Sequence, residues 1–180
     1  MNTLRQWERQ SQERLPEPSA CCADSQSIKT ATQGVDVGFD GHKKIKGRKR
    51  PIRIDTLGRI VAVVITAAHR DDRLGLVALL KRYLASSVTR LRKIWVDGGY
   101  KAQWLCDWVR GLKQTHKIDL EVVEHTGKGF QGVKQRWKVE RTLGWLLNDR
   151  RHSRDYEVVT ANREAMIQIS MIRLLLKRRA

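Results

Sequence analysis

Cysteine is scarce: Cys21, Cys22 and Cys106 are the three in 180 residues. Two are adjacent, and no CxxC or Cys/His ligand spacing occurs. That argues against a disulfide framework or a zinc-type site and fits a reducing compartment. No apolar run reaches the roughly 18 residues that mark a membrane span, and no secretory signal pattern is present. A cytosolic, soluble protein with no membrane partner is therefore expected. Acidic residues are also few: 19 stand against 36 Lys plus Arg, for a formal charge of +17 and a pI near 10.4. So clustered an excess of cations reads as a surface for a polyanion, with affinity set by phosphate contacts and therefore by salt. What remains is ordinary: 41% hydrophobic residues are enough for one domain with a real core.

Along the chain, residues 1–18 are polar, carry Pro16 and Pro18, and read as a short helix or a disordered leader. A single domain over 19–180 follows. Ser19 to Ala23 is a short strand candidate leading into Asp24. Residues 31–50, with Gly34, Gly38, Gly41 and Gly47 and a dense basic run, read as loop or hairpin. Ile52–Asp55 and Arg59–Ala67 read as two strands around the turn DTLG, the second buried and central. Apolar residues at helical spacing predict helices over Asp72–Tyr83, Tyr100–Gln114, Val133–Asn148 and Ala161–Lys177. RKIWVD and DLEVVEH supply two more strands. Early strands followed by alternating helix and strand predict an α/β fold, a mixed sheet flanked by helices, in the order used by ribonuclease-H-like folds.

Among so few acids, three have sharp local contexts: Asp24 in CCADSQSIK, Asp97 in KIWVDGGYK and Glu140 in RWKVERTLGWL. Asp24 and Asp97 are placed at strand ends, where α/β ligand sites form. Glu140 is placed in a helix beside the stripe Val139, Leu143, Leu146 and Leu147. Three carboxylates on such elements can hold Mg²⁺, a hard ion that takes oxygen ligands. Two such ions about 4 Å apart clamp both oxygens of a phosphodiester displacement. Plainer readings stand beside this one. Asp24 can be a turn or cap residue, Asp97 can start the Gly-Gly turn, and Glu140 can pair with Arg136 one helical turn back. His69 is a further polar candidate, although Asp71 or Asp72 there reads better as a helix cap. For phosphate contacts the expected residues are Lys43, Lys44, Lys46, Arg48, Lys49 and Arg50 in the basic run, with Arg136 and Arg141 around Glu140. Of the six tryptophans, Trp137 is the one placed to stack on a base.

The segments ADSQSIKT, GFDGHKKIKGRKR, IDTLG, IWVDGGY, RWKVERTLGWL, RDYE and AMIQISMIRLLLKR, in that order, resemble the catalytic part of bacterial insertion-sequence DDE transposases of the IS-five family. The likeness runs from about residue 16 to the end. The resemblance implies a ribonuclease-H-like domain with Asp24, Asp97 and Glu140 as catalytic, metal-binding residues. It implies two Mg²⁺ ions, with Mn²⁺ as the alternative, and double-stranded DNA at element ends and target as substrate. Arg136 and Glu140 match the family's Arg-x3-Glu signature. A homodimer in the reaction complex and a bacterial, nucleoid-associated location follow as expectations. The family usually carries a helix-turn-helix-like region ahead of the first aspartate, whereas 23 residues precede Asp24 here. That suggests a downstream reading frame with an upstream-frame partner. The alternatives are a nuclease of the same fold without strand transfer, and an inactive, DNA-binding remnant.

Overall fold

In the computed structural model, residues 1–31, 34–86, 90–123 and 136–178 are described. The sheet is organised around β1 (Ala20–Lys29). Successive side chains of a strand point to opposite faces: Cys21 and Ala23 enter the core on one face, and Cys22 enters the core on the other. β3 (Ile45–Asp55) pairs antiparallel with β1, from Cys21 opposite Asp55 to Lys29 opposite Gly47. β6 (Lys93–Asp97) pairs parallel with its other side. β2 (Gly38–Asp40) and β7 (Asp119–Val123) complete the order β2-β3-β1-β6-β7. β4 (Ile60–Val63) and β5 (Thr66–Ala67) also pair antiparallel with β3.

Helices cover both faces. On one, α2 (Asp72–Leu84) and α3 (Gln103–His116) bury Leu76, Leu80, Leu105 and Val109 against Cys21, Ile94 and Val96. On the other, α4 (Arg136–Leu147) and α6 (Thr160–Lys177) bury Val139, Leu143, Ile167 and Met171 against Cys22, Ile52 and Ile54. α1 (Asn2–Gln10) lies against α6, and the short α5 (Arg150–Ser153) links α4 to α6. This is the mixed α/β, ribonuclease-H-like architecture expected from the element order.

Several details depart from expectation. Of the two readings of the basic run, the hairpin holds, since β2 and β3 pair antiparallel, but from Ile45 onward the run is β3, an interior strand paired on both sides. Arg59–Ala67 is not one central strand but two short ones beside β3, with α2 and α6 packed on β4. Pro51 explains the split. Its carbonyl accepts from Val64, so the side of the strand from which proline withholds an N–H faces the interval between β4 and β5. Nor is Asp24 at a strand end, because β3 extends the pairing of β1 to Lys29. Residues 1–18 dock through the ion pairs of Arg9 with Asp55 at 2.8 Å and of Glu8 with Arg59, and Arg5 braces the segment internally on Glu17 at 3.0 Å.

Candidate active site

β1 and β6 fix the first part of the site. Ala20, Cys21 and Cys22 pair with Lys93, Ile94 and Trp95. That constant offset of 73 residues, if continued for two more, would bring Asp24 level with Asp97. The pairing stops before the aspartates, so the two strands end their ladder just before the carboxylates. Asp24 follows Cys22 by two residues and Asp97 follows Trp95 by two. Both of those residues pack on the α4 side, and strand alternation directs the aspartates the same way. Asp97 keeps extended backbone, and its Oδ1 accepts from the Gly99 amide at 3.1 Å, capping the 3-10 turn Gly98–Tyr100. Oδ1 of Asp24 accepts from the Ser25 amide at 2.7 Å. Both aspartates are half-buried.

The field of this strand edge is recorded by Tyr100. Its buried hydroxyl is held well above the ordinary tyrosine pKa by burial first, then by Asp24, Asp72 and Asp97. Three carboxylates therefore act on one phenol. Asp72 was set aside in the sequence as a helix cap. In the fold Asp71 is the cap, accepting from Arg73 N at 2.8 Å. Asp72 instead accepts from Ser25 Oγ at 2.5 Å and pairs with Lys49 Nζ at 2.8 Å. Lys49 also donates to Arg70 O and stands 3.7 Å from Asp40. Burial alone would raise the Asp40 carboxyl, but the Ser27 hydroxyl, the Lys43 amide and Lys49 bring it down to about 2. The polar network Ser25, Asp72, Lys49 and Tyr100 escaped sequence reasoning. Adjacency of Ser25 to Asp24 and of Tyr100 to the Asp97 turn was the available signal.

Glu140 is exposed on α4, next to buried Val139. The helix packs on both β1 and β6. Its height over them is pinned at the β3–β4 turn, where Thr142 Oγ1 donates to Gly58 O at 2.8 Å and Arg141 donates to Leu57 O at 3.0 Å. The three predicted carboxylates thus stand on two neighbouring strands and on the helix laid across them. Among the described residues, no group of three or more His, Cys, Asp or Glu is close enough together to hold a metal ion. The donor chemistry nevertheless suits a hard cation: oxygen ligands only, two of them half-buried. Mg²⁺ is usually held by one or two carboxylates with substrate phosphates and water, so a closed three-carboxylate cage is not required.

The predicted phosphate contacts divide. Lys43, Lys44 and Lys46 are exposed on the β2–β3 hairpin. Arg48, Lys49 and Arg50 are buried and cannot reach a duplex, which corrects that expectation. Arg48 pairs with Asp155 at 3.1 Å and donates to the carbonyls of Val35, Glu157 and Val158. Arg50 donates to Gln26 and to His152 O. The physical reason is the central strand: alternate residues of β3 face helices whatever their charge, and these cations are satisfied internally. Arg141 is half-buried between Trp137 and Trp145, its guanidinium 4.5 and 4.6 Å from the ring centres. Arg136 opens α4, but its side chain lies outside the described residues. Trp137 is exposed and His69 lies on the surface before α2.

Search of the curated proteins finds no match. A family model described as a transposase DDE domain matches residues 15–175, from before β1 to the last turn of α6. The match spans both strands that carry the aspartates and the helix that carries Glu140. This chain therefore belongs to the transposase DDE domain family.

Proposed function

We propose that this domain cuts DNA at the ends of an insertion sequence and joins the freed 3′-hydroxyl to a target, with Asp24, Asp97 and Glu140 as its catalytic, metal-holding residues. The observation that supports this reading is the parallel β1–β6 register, which stops at Cys22 and Trp95, two residues before Asp24 and Asp97, on the face crossed by α4. Divalent cations, Mg²⁺ or Mn²⁺, supply charge neutralisation and water activation at a phosphodiester when bound. The protein's part is position and field. Asp97 is oriented by the Gly99 amide, and Asp24 by the Ser25 amide. Lys49 engages Asp72 and lowers the repulsion among neighbouring carboxylates. Lys43, Lys44 and Lys46 on the hairpin, with Arg136 and Arg141 on α4, hold backbone phosphates and set the duplex across the strand edge. Two element ends ask for two such domains, which favours a dimer in the reacting complex.

The test is nicking and joining of a DNA substrate with and without Mg²⁺. Asp97→Ala is expected to cut at least ~10²-fold more slowly, a loss typical when one charge-stabilising group is removed. Equal nicking by wild type and variant refutes the assignment of Asp97. Metal-dependent nicking whose ends are never joined to target supports instead a nuclease of this fold.

A further inference from the structure

A second cluster of charge lies away from the aspartates. At the margin formed by β4, the C-terminal end of α2 and α1 there is a cavity of about 350 Å³. Its walls include Arg5, Cys21, Arg53, Val61, Tyr83 and Leu91. Cys21 lies on the α2 face of β1, opposite the face to which Asp24 projects. Cys21 and Tyr83 thus line the cavity from the α2 face, while Val63 and Gln168 line it from the α6 side.

Arg53 is the unusual member. It is 4% exposed, and its Nε and Nη1 are buried with no hydrogen-bond partner. One contact satisfies its face: the guanidinium carbon lies 4.8 Å over the Tyr83 ring. No carboxylate among the described residues is paired with it. Glu17, the acid lining the same cavity, is bound bidentately by Arg5 and also by Gln6. Arg82, at the rim, is matched by Glu164 at 2.7 Å. Cys21 is no counter-ion either, since burial pushes its thiol up to about 12. A buried cation without a partner is costly. Arg5 adds a second buried, unpartnered Nε in the same wall. The cavity is therefore walled in part by a guanidinium with no ion-pair partner among the described residues, beside apolar side chains, and its volume is at the small end of the range for ligand sites.

We propose that this cavity binds a small oxyanion, inorganic phosphate or a phosphate monoester, with the Arg53 guanidinium as principal donor. The size favours a small molecule over the backbone of a duplex, and the proposal is independent of the assignment of Asp24, Asp97 and Glu140. Arg53 sits opposite Ala23 on β1, so an occupied site would brace the strand that carries Asp24.

The experiment is calorimetric titration of the full chain with inorganic phosphate and with a nucleoside monophosphate, at fixed ionic strength in chloride. Wild type is expected to bind one of these saturably. Arg53→Met is expected to weaken that binding at least tenfold, about 1.4 kcal/mol. Should Arg53→Met fail to fold, Ala62→Trp keeps Arg53 and fills the space beside it, since Ala62 pairs with Arg53 across β3 and β4; it should abolish binding. Lys44→Met/Lys46→Met should bind as wild type does. No saturable binding by wild type, undiminished binding by the cavity variants, loss in the lysine variant, or displacement of phosphate by duplex DNA would each overturn the proposal.

Discussion

Single cations in this chain have sharply different work, and their position in β3 decides which. Lys44 stands exposed in the hairpin, and Arg48, four residues later, is fully buried. Removing Arg48 leaves Asp155 buried with Arg163, 3.8 Å away, as the remaining charged partner among the described residues. Arg48→Met is expected to lower stability by about 3–5 kcal/mol, the usual result of breaking a buried pair, as read from urea unfolding. Lys44→Met should leave the unfolding midpoint unchanged and weaken DNA binding. If Arg48→Met unfolds like wild type yet binds DNA poorly, its interior role is wrong. In the sequence these residues look alike, a run of basic side chains between glycines. Nothing local says that the run is an interior strand, because Asp155, which pairs with Arg48, and His152, whose carbonyl accepts from Arg50, lie more than 100 residues away in sequence. The acids were more legible. Asp24 and Asp97 are framed by apolar strand residues, whereas Asp72 next to Asp71 presented two equal cap candidates, and only the fold separates them.

At the scale of elements, the α5–α6 junction is held by a pH-sensitive latch. His152 is fully buried, its Nε2 is 2.7 Å from Ser170 Oγ, and that hydroxyl donates to Asp149 at 2.7 Å. With Ser170 donating to the carboxylate, Nε2 of His152 carries the proton and the ring is neutral. Burial, then Arg163 and Arg50, pull its pKa from 6.5 down to about 4. The unfolded chain thus binds a proton at a higher pH than the folded one. Stability from this group is complete above about 6.5 and is lost as pH falls from there toward 4, at no more than about 1.4 kcal/mol per pH unit. Urea titrations at pH 7 and pH 5 should show the loss in wild type and a smaller one in His152→Gln; equal losses would remove His152 as the cause. The longer helices and the strands were visible as periodicity. α5, four residues long, was not, since so short a segment carries no repeat. Breaking of Arg59–Ala67 into β4 and β5 was also hidden, although Pro51, its cause, was in view.

For the whole molecule, the charge of +17 overstates the surface offered to DNA, because Arg48, Arg50, Arg53, Arg59 and Arg163 are buried. Binding should show a log–log salt slope of about −0.9 per phosphate contact. Lys44→Met and Lys46→Met should each make it shallower by about that amount, and a slope unmoved by both would take the hairpin out of the interface. Net charge predicted a polyanion partner correctly in kind, but could not distribute the cations between surface and interior. The β1–β6 register has one more consequence. Sliding either strand by a single residue would turn its aspartate toward α2 and drive Cys22 or Trp95 out of the α4-side core. The alignment of the acids is thus keyed to hydrophobic burial, and no folded, misaligned state lies close in energy. Activity against denaturant should fall with the global transition and not ahead of it: a catalytic centre that fails only when the whole sheet does.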